Sequence, residues 1–428
     1  MGIVNTLYDL PVPFNYAAVS MLNVFILVSG YLLVDEYLMK YLDNAIKQTK
    51  LQSELVAIIF LNIGNGLPEL ITGFLCGQKD LLCALYCSIG GMLFITTVVL
   101  GSTIFFKSKT VEIKIGLFYK NIMFLFVSYF LLSCILIRET VNIFIAIAMV
   151  STYVIFLVHS VINNRNDAEE IETIEHSAIG SKYKKVLQWC LYPLRMLFNL
   201  SLINQKGNSN PFVLYSCSVF MNFIIFSYLL GYLTQRIFLI SMPILLLLSA
   251  ALYFLDTVVR NKTIMNCYGM ITAILWIFFT SDAIVNQIET VSERFNFSKE
   301  LSSLIFLAFG NSFADLVTNS VAARKGLVKT AISSSLTSPI HNILFNFGLL
   351  LSYFTLSKGT ISLVNEYSTM FTVFPIVFVP ITFFIISFNY EIRNRKLEIE
   401  LAYALFAIYG LFVCLLALEF YLGDYGRM

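Results

Sequence analysis

Twelve stretches of this chain are long and apolar enough to cross a bilayer, and no other feature limits its fold as strongly. They fall at about 15–38, 54–76, 80–105, 117–137, 141–162, 212–234, 237–259, 264–288, 301–323, 327–353, 368–388 and 401–422. A hydrocarbon core about 30 Å thick takes roughly 20 helical residues to span. Inside it no water can satisfy a backbone N–H or C=O, so each span must be a helix that bonds to itself. Of the 428 residues, 58% are hydrophobic and 13% charged, against about 25% charged in soluble domains. The expected fold class is therefore an all-α polytopic membrane protein of about 12 transmembrane helices.

The one long polar connection is 163–211. It opens with the charged "NNRNDAEEIETIEH" and passes into "YKKVLQWCLYPLRMLFNLSLI", which mixes Lys, Arg, Trp and Leu. The second part reads as an amphipathic helix lying in the membrane interface. Twelve spans put both termini on one side. That side carries 7 of the 28 Lys and Arg, and the other side, with the 163–211 loop, carries 21. Positive charge gathers on the cytosolic face, so the loop is expected in the cytosol and the termini opposite. The net charge of +2 comes from short loops and gives no reason to expect a nucleic-acid partner; the expected partners are lipid and inorganic cations. Eight cysteines are scattered without a C-x-x-C, so no redox or structural-metal motif is present.

One span is oddly made. Residues 60–74, "FLNIGNGLPELITGF", place Asn62, Asn65, Glu69, Gly64, Gly66 and Pro68 inside an apolar run. A carboxylate at bilayer depth costs roughly 2.5–3.5 kcal/mol on insertion scales. The motif has a partner: "GNGLPELITG" (64–73) aligns with "GNSFADLVTN" (310–319), and Glu69 falls on Asp315. Each is followed by a second patch of small residues, "SIGGMLFITTVVLG" (88–101) and "SLTSPIHNILFNFG" (335–348). The copies lie on spans 2 and 9, so they enter the membrane in opposite senses. Inverted repeats built on broken helices are the architecture of many secondary transporters.

The chemistry follows from the residue types. Gly64, Gly66 and Pro68 can break the helix and turn carbonyls toward a cavity. Asn65, Asn311 and Ser312 add neutral oxygens, and Glu69 with Asp315 brings two negative charges together. That set suits a hard divalent cation such as Ca²⁺, or monovalent cations in exchange. It calls for no cofactor beyond the transported ions. An intramembrane metallohydrolase would need clustered ligands around an activated water; there is no H-E-x-x-H, and the chain is not expected to be an enzyme.

These motifs resemble the two α-repeats of the sodium/calcium exchanger superfamily, and within it the cation/calcium exchanger branch. "GNGLPE", "GGMLFITTVV", "FLAFGNSFADLVTNSVAARKG" and "SPIHNIL" carry the likeness, in order, over about a third of the chain. The resemblance implies an exchanger fold with inverted repeats at about 54–105 and 301–353. It divides the chain into an N-terminal membrane half (1–162), the loop (163–211), an extra helix pair (212–259) and a C-terminal membrane half (260–428). It implies export of Ca²⁺ from the cytosol by alternating access, in exchange for Na⁺, Li⁺, K⁺ or H⁺. By position it places ion ligation on Asn65, Glu69, Asn311, Ser312 and Asp315, with Gly66, Gly90, Gly91 and Ser338 as small residues that let backbone approach the ions. Glu69 stands where this branch usually has Asp. Thr337-Ser338 replaces Gly-Gly, and His341 replaces an apolar residue. Neither second patch is expected to supply the further carboxylate or amide seen in the sodium/calcium exchangers proper. An exchanger of another cation driven by K⁺ or H⁺, or a transport-inactive scaffold, are the alternatives. Plasma membrane, vacuolar or other endomembrane, and mitochondrial inner membrane are all compatible with the sequence.

Overall fold

The computed structural model describes residues 12–49, 51–79, 81–138, 140–166, 172, 191–202, 218–223, 262–294, 297–363 and 369–425. The chain divides into two compact units. One comprises Met1–Ile26, Leu51–Glu175 and Thr280–Met428; the other comprises Leu27–Lys50 and His176–Phe279.

The elements are helices almost throughout. In order they are α1 (Val12–Leu33), α2 (Met39–Thr49), α3 (Ser53–Val56), α4 (Ile63–Lys79), α5 (Leu81–Phe94), α6 (Leu100–Phe106), α7 (Ile115–Arg138) and α8 (Ile143–Asn166). Within the 163–211 connection lies α9 (Tyr192–Ser201), and after it come α10 (Lys262–Arg294), α11 (Lys299–Leu301), α12 (Ala308–Asn311), α13 (Phe313–Arg324), α14 (Val328–Ile340), α15 (Gly348–Lys358), α16 (Thr369–Ile392) and α17 (Ile399–Tyr425). Among the described residues, seven helices are long and apolar enough to span a membrane, and two bent pairs bring the number to nine. The first expected span is helical as α1. The expected pair at 212–259 lies outside the described residues except for 218–223.

The two halves of the larger unit break their helices at matching places. Helix 53–67 meets helix 69–78 at 44°, and helix 299–311 meets helix 313–324 at 42°. The first bend falls at Pro68, which has no N–H to bond back to Gly64. The second falls at Ser312, whose φ of −86° and ψ of 5° lie in the sparsely allowed bridge region. No proline marks it, so the sequence predicted only the first bend. Both bends sit three residues or fewer before the repeat carboxylate. π-helical turns interrupt the same helices at Ala57–Asn62 and Ser302–Leu307, and again at Ile95–Val99 and His341–Phe347. Under the repeat alignment these pair within one residue. A π turn widens the backbone ring and commonly marks a functional segment.

Loops at the two ends of this bundle are tied to one another. At one end β1 (Thr140–Val141) pairs antiparallel with β2 (Ile361–Ser362). At the other, Glu112 bridges to Lys396, Ser108 N–H donates to the Ala323 carbonyl at 3.1 Å, and Tyr390 Oη donates to the Ile113 carbonyl at 2.8 Å. These pairings sort the loops into the same two sets as the Lys and Arg count. The core between them is apolar, with Leu85, Leu93, Leu132, Phe156, Leu344, Leu351 and Phe412 fully buried. Ile137, Phe144, Leu356 and Phe384 point outward, each two-thirds or more exposed. Large apolar side chains facing out on long helices are what a lipid environment accommodates.

The same end holds a buried ion pair. Lys120 Nζ on α7 donates to the Glu54 carboxylate on α3 and to Ser160 Oγ on α8 at 2.9 Å. The Phe156 ring lies under the ammonium, 5.4 Å away. Both partners are almost wholly buried, so the pair persists only because each charge and its hydrogen bonds are met.

In the smaller unit the described part of the expected amphipathic segment, 191–202, holds α9, with Pro193 in its first turn, where a missing N–H costs nothing. Leu194 and Phe198 are buried, while Tyr192, Met196 and Leu200 are exposed. Arg195 Nε donates to both carboxylate oxygens of Glu36 at 3.1 Å. Tyr37 Oη donates to Asn199 Oδ1 at 2.8 Å, and Phe198 meets Trp276 edge to face.

Candidate ion-binding site

The break at Pro68 leaves Asn65 and Glu69 one turn apart, on one face of α4. The break at Ser312 puts Asp315 in the first turn of α13. The two faces meet. Asn65 Nδ2 donates to Asp315 Oδ1 at 3.0 Å and to Thr318 Oγ1 at 2.6 Å. Ser338 Oγ on α14 donates to the other oxygen, Oδ2, at 2.9 Å. Asp315 is 1% exposed and Glu69 7%, and the two carboxylates are close enough to interact electrostatically.

Gly91 shows how the two repeats share a space. A methyl group there would lie 3.3 Å from Glu69 Oε1 and 3.5 Å from Ser312 Oγ. A carboxylate of the first repeat and a hydroxyl of the second thus approach the same point. A little further along, a cavity is lined by Glu69, Thr72, Gly73, Cys76, Cys87 and Asn311 among others. Asn311 Nδ2 donates to Cys87 Sγ at 3.2 Å, which fixes the amide and leaves its oxygen without a partner. Ser312 Oγ is also buried and without a partner. A buried polar atom left unmet costs about 1–3 kcal/mol.

No ion pair among the described residues involves Glu69 or Asp315. Two buried carboxylates and two orphan oxygens therefore converge with no protein cation beside them. Charges of one sign in a low-dielectric interior must be compensated, by a cation beside them or by a proton on the carboxylate. The two carboxylates and the two unpartnered side-chain oxygens are hard ligands of the kind that suits Ca²⁺ or Na⁺. Among the described residues no cluster of three His, Cys, Asp or Glu forms a conventional metal site; the set relies on two carboxylates supplemented by amide and hydroxyl oxygens.

Of the residues singled out from the sequence, Asn65, Glu69, Gly91, Asn311, Ser312, Asp315 and Ser338 lie in or against this region. Gly66 lies behind it. Its carbonyl accepts from Asn346 Nδ2 at 3.0 Å, and a side chain there would meet Asn346 and His341 at 2.9 Å. Gly90 plays a different part from the one expected. A methyl there would sit 2.1 Å from the Leu304 carbonyl oxygen, so its bareness serves close packing of α5 on the π turn 302–307 and not approach to an ion.

Three polar residues outside the expected ligand set also make contacts here. Asn62 Nδ2 donates to Thr337 Oγ1 at 2.7 Å and its Oδ1 accepts from Ser334 at 2.8 Å, a second tie between the repeats. Thr318 bonds back to Ala314 and also receives Asn65. Asn342, the amide of the second patch of repeat 2, accepts at Oδ1 from Asn346 Nδ2 at 3.3 Å. It is 2% exposed, stands one turn beyond Ser338 and has no partner for its Nδ2. The signal was the i, i+4 spacing from Ser338. Thr96 and Thr97 bond to their own helix at Met92 and Leu93. His341 Nδ1 pairs with Tyr153 Oη at 2.7 Å and its ring stacks on Phe345, a packing role.

Comparison with known proteins agrees with this architecture. The model of the family "Sodium/calcium exchanger protein" matches residues 19–162 and 265–418, which takes in both repeats. "Putative sodium/calcium exchanger 6" of Caenorhabditis elegans is 21% identical over 426 residues, covering 79% of this chain and 71% of that protein. "Mitochondrial sodium/calcium exchanger protein" of the same organism is 27% identical over 177 residues, covering 40% of this chain and only 27% of that protein. Among solved structures, the sodium-calcium exchanger NCX_Mj, soaked with zero Na⁺ and Ca²⁺, superposes with a TM-score of 0.56 at 12% identity, covering 94% of this chain and 98% of that one. That likeness concerns the fold. Matched by the family model in both membrane halves and sharing the exchanger fold, this chain belongs to the sodium/calcium exchanger protein family, as an integral multi-pass membrane transporter and not an enzyme.

Proposed function

We propose that the chain is a secondary active cation antiporter that exports Ca²⁺ from the cytosol in exchange for Na⁺, or for Li⁺, K⁺ or H⁺, by alternating access. One observation carries the reading: Glu69 of one repeat and Asp315 of the other converge, buried, with no ion-pair partner among the described residues. A cargo cation supplies the missing positive charge. Glu69, Asp315, Asn65, Asn311, Ser312 and Ser338 are its ligands in this reading, with Gly91 giving the backbone room, and no resident cofactor takes part. A site shared between two inverted halves can open to either side by rocking one half against the other. In this reading the 163–211 loop faces the cytosol and both termini face away from it.

Ion flux in reconstituted vesicles tests this directly. ⁴⁵Ca²⁺ uptake is measured with outward gradients of Na⁺, Li⁺, K⁺ or H⁺ imposed one at a time. Uptake driven by at least one of them supports the antiporter. Uptake of another divalent cation with Ca²⁺ excluded supports the alternative cargo. Failure of every gradient to drive any cation, in protein that is folded and inserted, supports a scaffold.

A further inference from the structure

The helix that carries Ser338 and Asn342 begins without a local cap. Leu327 stands at the N-cap of α14 and offers no side-chain oxygen. The first four N–H groups of a helix need partners from elsewhere. Here they come from a residue some 157 positions away in the polar loop. Glu172 Oε1 accepts from the Lys329 N–H at 2.8 Å, and Oε2 accepts from the Thr330 N–H and Thr330 Oγ1, both at 3.0 Å. Ser53 Oγ also donates to Oε2, at 3.5 Å. The carboxylate is 9% exposed.

Two features separate this from an ordinary cap. First, its donors come from both repeats: Ser53 opens the first helix of repeat 1, and Lys329 and Thr330 open the second helix of repeat 2. Second, α14 runs without interruption from these donors to Ser338, which bonds Asp315. The loop therefore grips the end of a lever whose other end touches the candidate site. Charge-assisted bonds to a helix N-terminus are strong for their kind. Even so, burial raises the Glu172 carboxyl above its ordinary value, although the Lys329 and Thr330 donors and the charge of Lys109 pull it down.

We propose that Glu172 is a positioning residue that latches the two repeats together at their Ser53 and Lys329–Thr330 ends, so that opening the site to that side requires its release. The proposal rests on the antiporter reading for its meaning, but the contact can be tested without any flux. Lys329→Cys keeps the backbone donor and places a thiol at the latch. Its reaction with a membrane-impermeant maleimide, applied from the loop side and corrected for the native cysteines, reports opening. Adding Glu172→Gln removes the charge and sets an amide against the Lys329 and Thr330 donors. Losing charged hydrogen bonds of this kind is worth about a tenfold shift, so labelling should quicken about tenfold. In flux assays the same variant should change the half-saturating Ca²⁺ from the loop side by several-fold and leave total folded protein unchanged. Glu172→Asp, shorter but charged, should fall between the two. If Glu172→Gln does not accumulate as folded protein, Thr330→Val removes one donor and should give a smaller change in the same direction. Labelling equal to the parent in every folded variant overturns the latch. Faster labelling in a chain that moves no ions leaves the latch standing and refutes the antiporter.

Discussion

Gly90 and Gly91 are neighbours on α5, yet alanine should have opposite consequences at the two positions. In a helix interior the exchange by itself is favourable by about 0.5–1 kcal/mol, because glycine loses more backbone freedom on folding. At Gly91 the added methyl meets only side-chain oxygens, Glu69 Oε1 at 3.3 Å and Ser312 Oγ at 3.5 Å. Those atoms need yield by no more than a few tenths of an ångström, so stability should hold within about 1 kcal/mol of the parent. The ion site should not survive as well. Ca²⁺ takes its oxygens at about 2.3–2.6 Å, and the methyl occupies the place both oxygens approach. The half-saturating Ca²⁺ should rise by about tenfold or more, since displacing one oxygen ligand outweighs 1.4 kcal/mol. At Gly90 the methyl would lie 2.1 Å from the Leu304 carbonyl oxygen and 2.8 Å from its carbon. Backbone cannot rotate away, so α5 must separate from the π turn at about 1–3 kcal/mol or more. Gly90→Ala should lower the thermal midpoint of purified protein, and Gly91→Ala should not. Both are read in detergent by fluorescence-detected gel filtration after heating, and flux is read in vesicles. Gly91→Ala transporting with parental Ca²⁺ dependence would refute the placement of the ion between the repeats. Gly90→Ala as stable as the parent would refute the packing argument.

Glu69→Gln and Asp315→Asn should each bring Ca²⁺ flux in vesicles close to background while expression holds or improves, because a cargo cation loses a charged ligand in low dielectric and the fold loses a buried charge; Asp35→Asn serves as the control that keeps flux. Lys120→Met strands Glu54 in the bundle and should destabilise by about 3–5 kcal/mol; the double change Lys120→Met with Glu54→Leu should recover most of that midpoint loss. Single cysteines introduced in the loops 107–114, 324–328 and 393–398 should all label from the same side as the 163–211 loop, and cysteines in 359–363 from the other; a mixed pattern would overturn the grouping by charge.

The membrane class, the helices and the repeats are legible in the sequence because they depend on local and periodic properties. A run of about 20 apolar residues can only be a helix in lipid, whatever lies beside it. A motif repeated on spans of opposite direction carries its symmetry in the letters, and the acids at 69 and 315 are conspicuous against an apolar background. Pro68 likewise announces its bend. The match of both halves to the family rests on the same letters.

What the tertiary structure decided is which polar groups meet. The bend at Ser312 has no breaker residue to announce it; it depends on how the helix is held, with Gly310 pressed on Val285. Gly90 and Gly91 look alike in sequence, and only the direction of each Cα decides that one faces Leu304 and the other Glu69. Asn342 and Asn62 read as stray amides until the second helix of repeat 2 is packed. Glu172 lies in a charged stretch that reads as solvated, and its burial follows from uncapped N–H groups more than 150 residues away. Hydrophobic burial and backbone bonding are properties of a segment and can be read along it. The satisfaction of a buried polar atom is a property of a pair, and its partner is known only when the chain has folded.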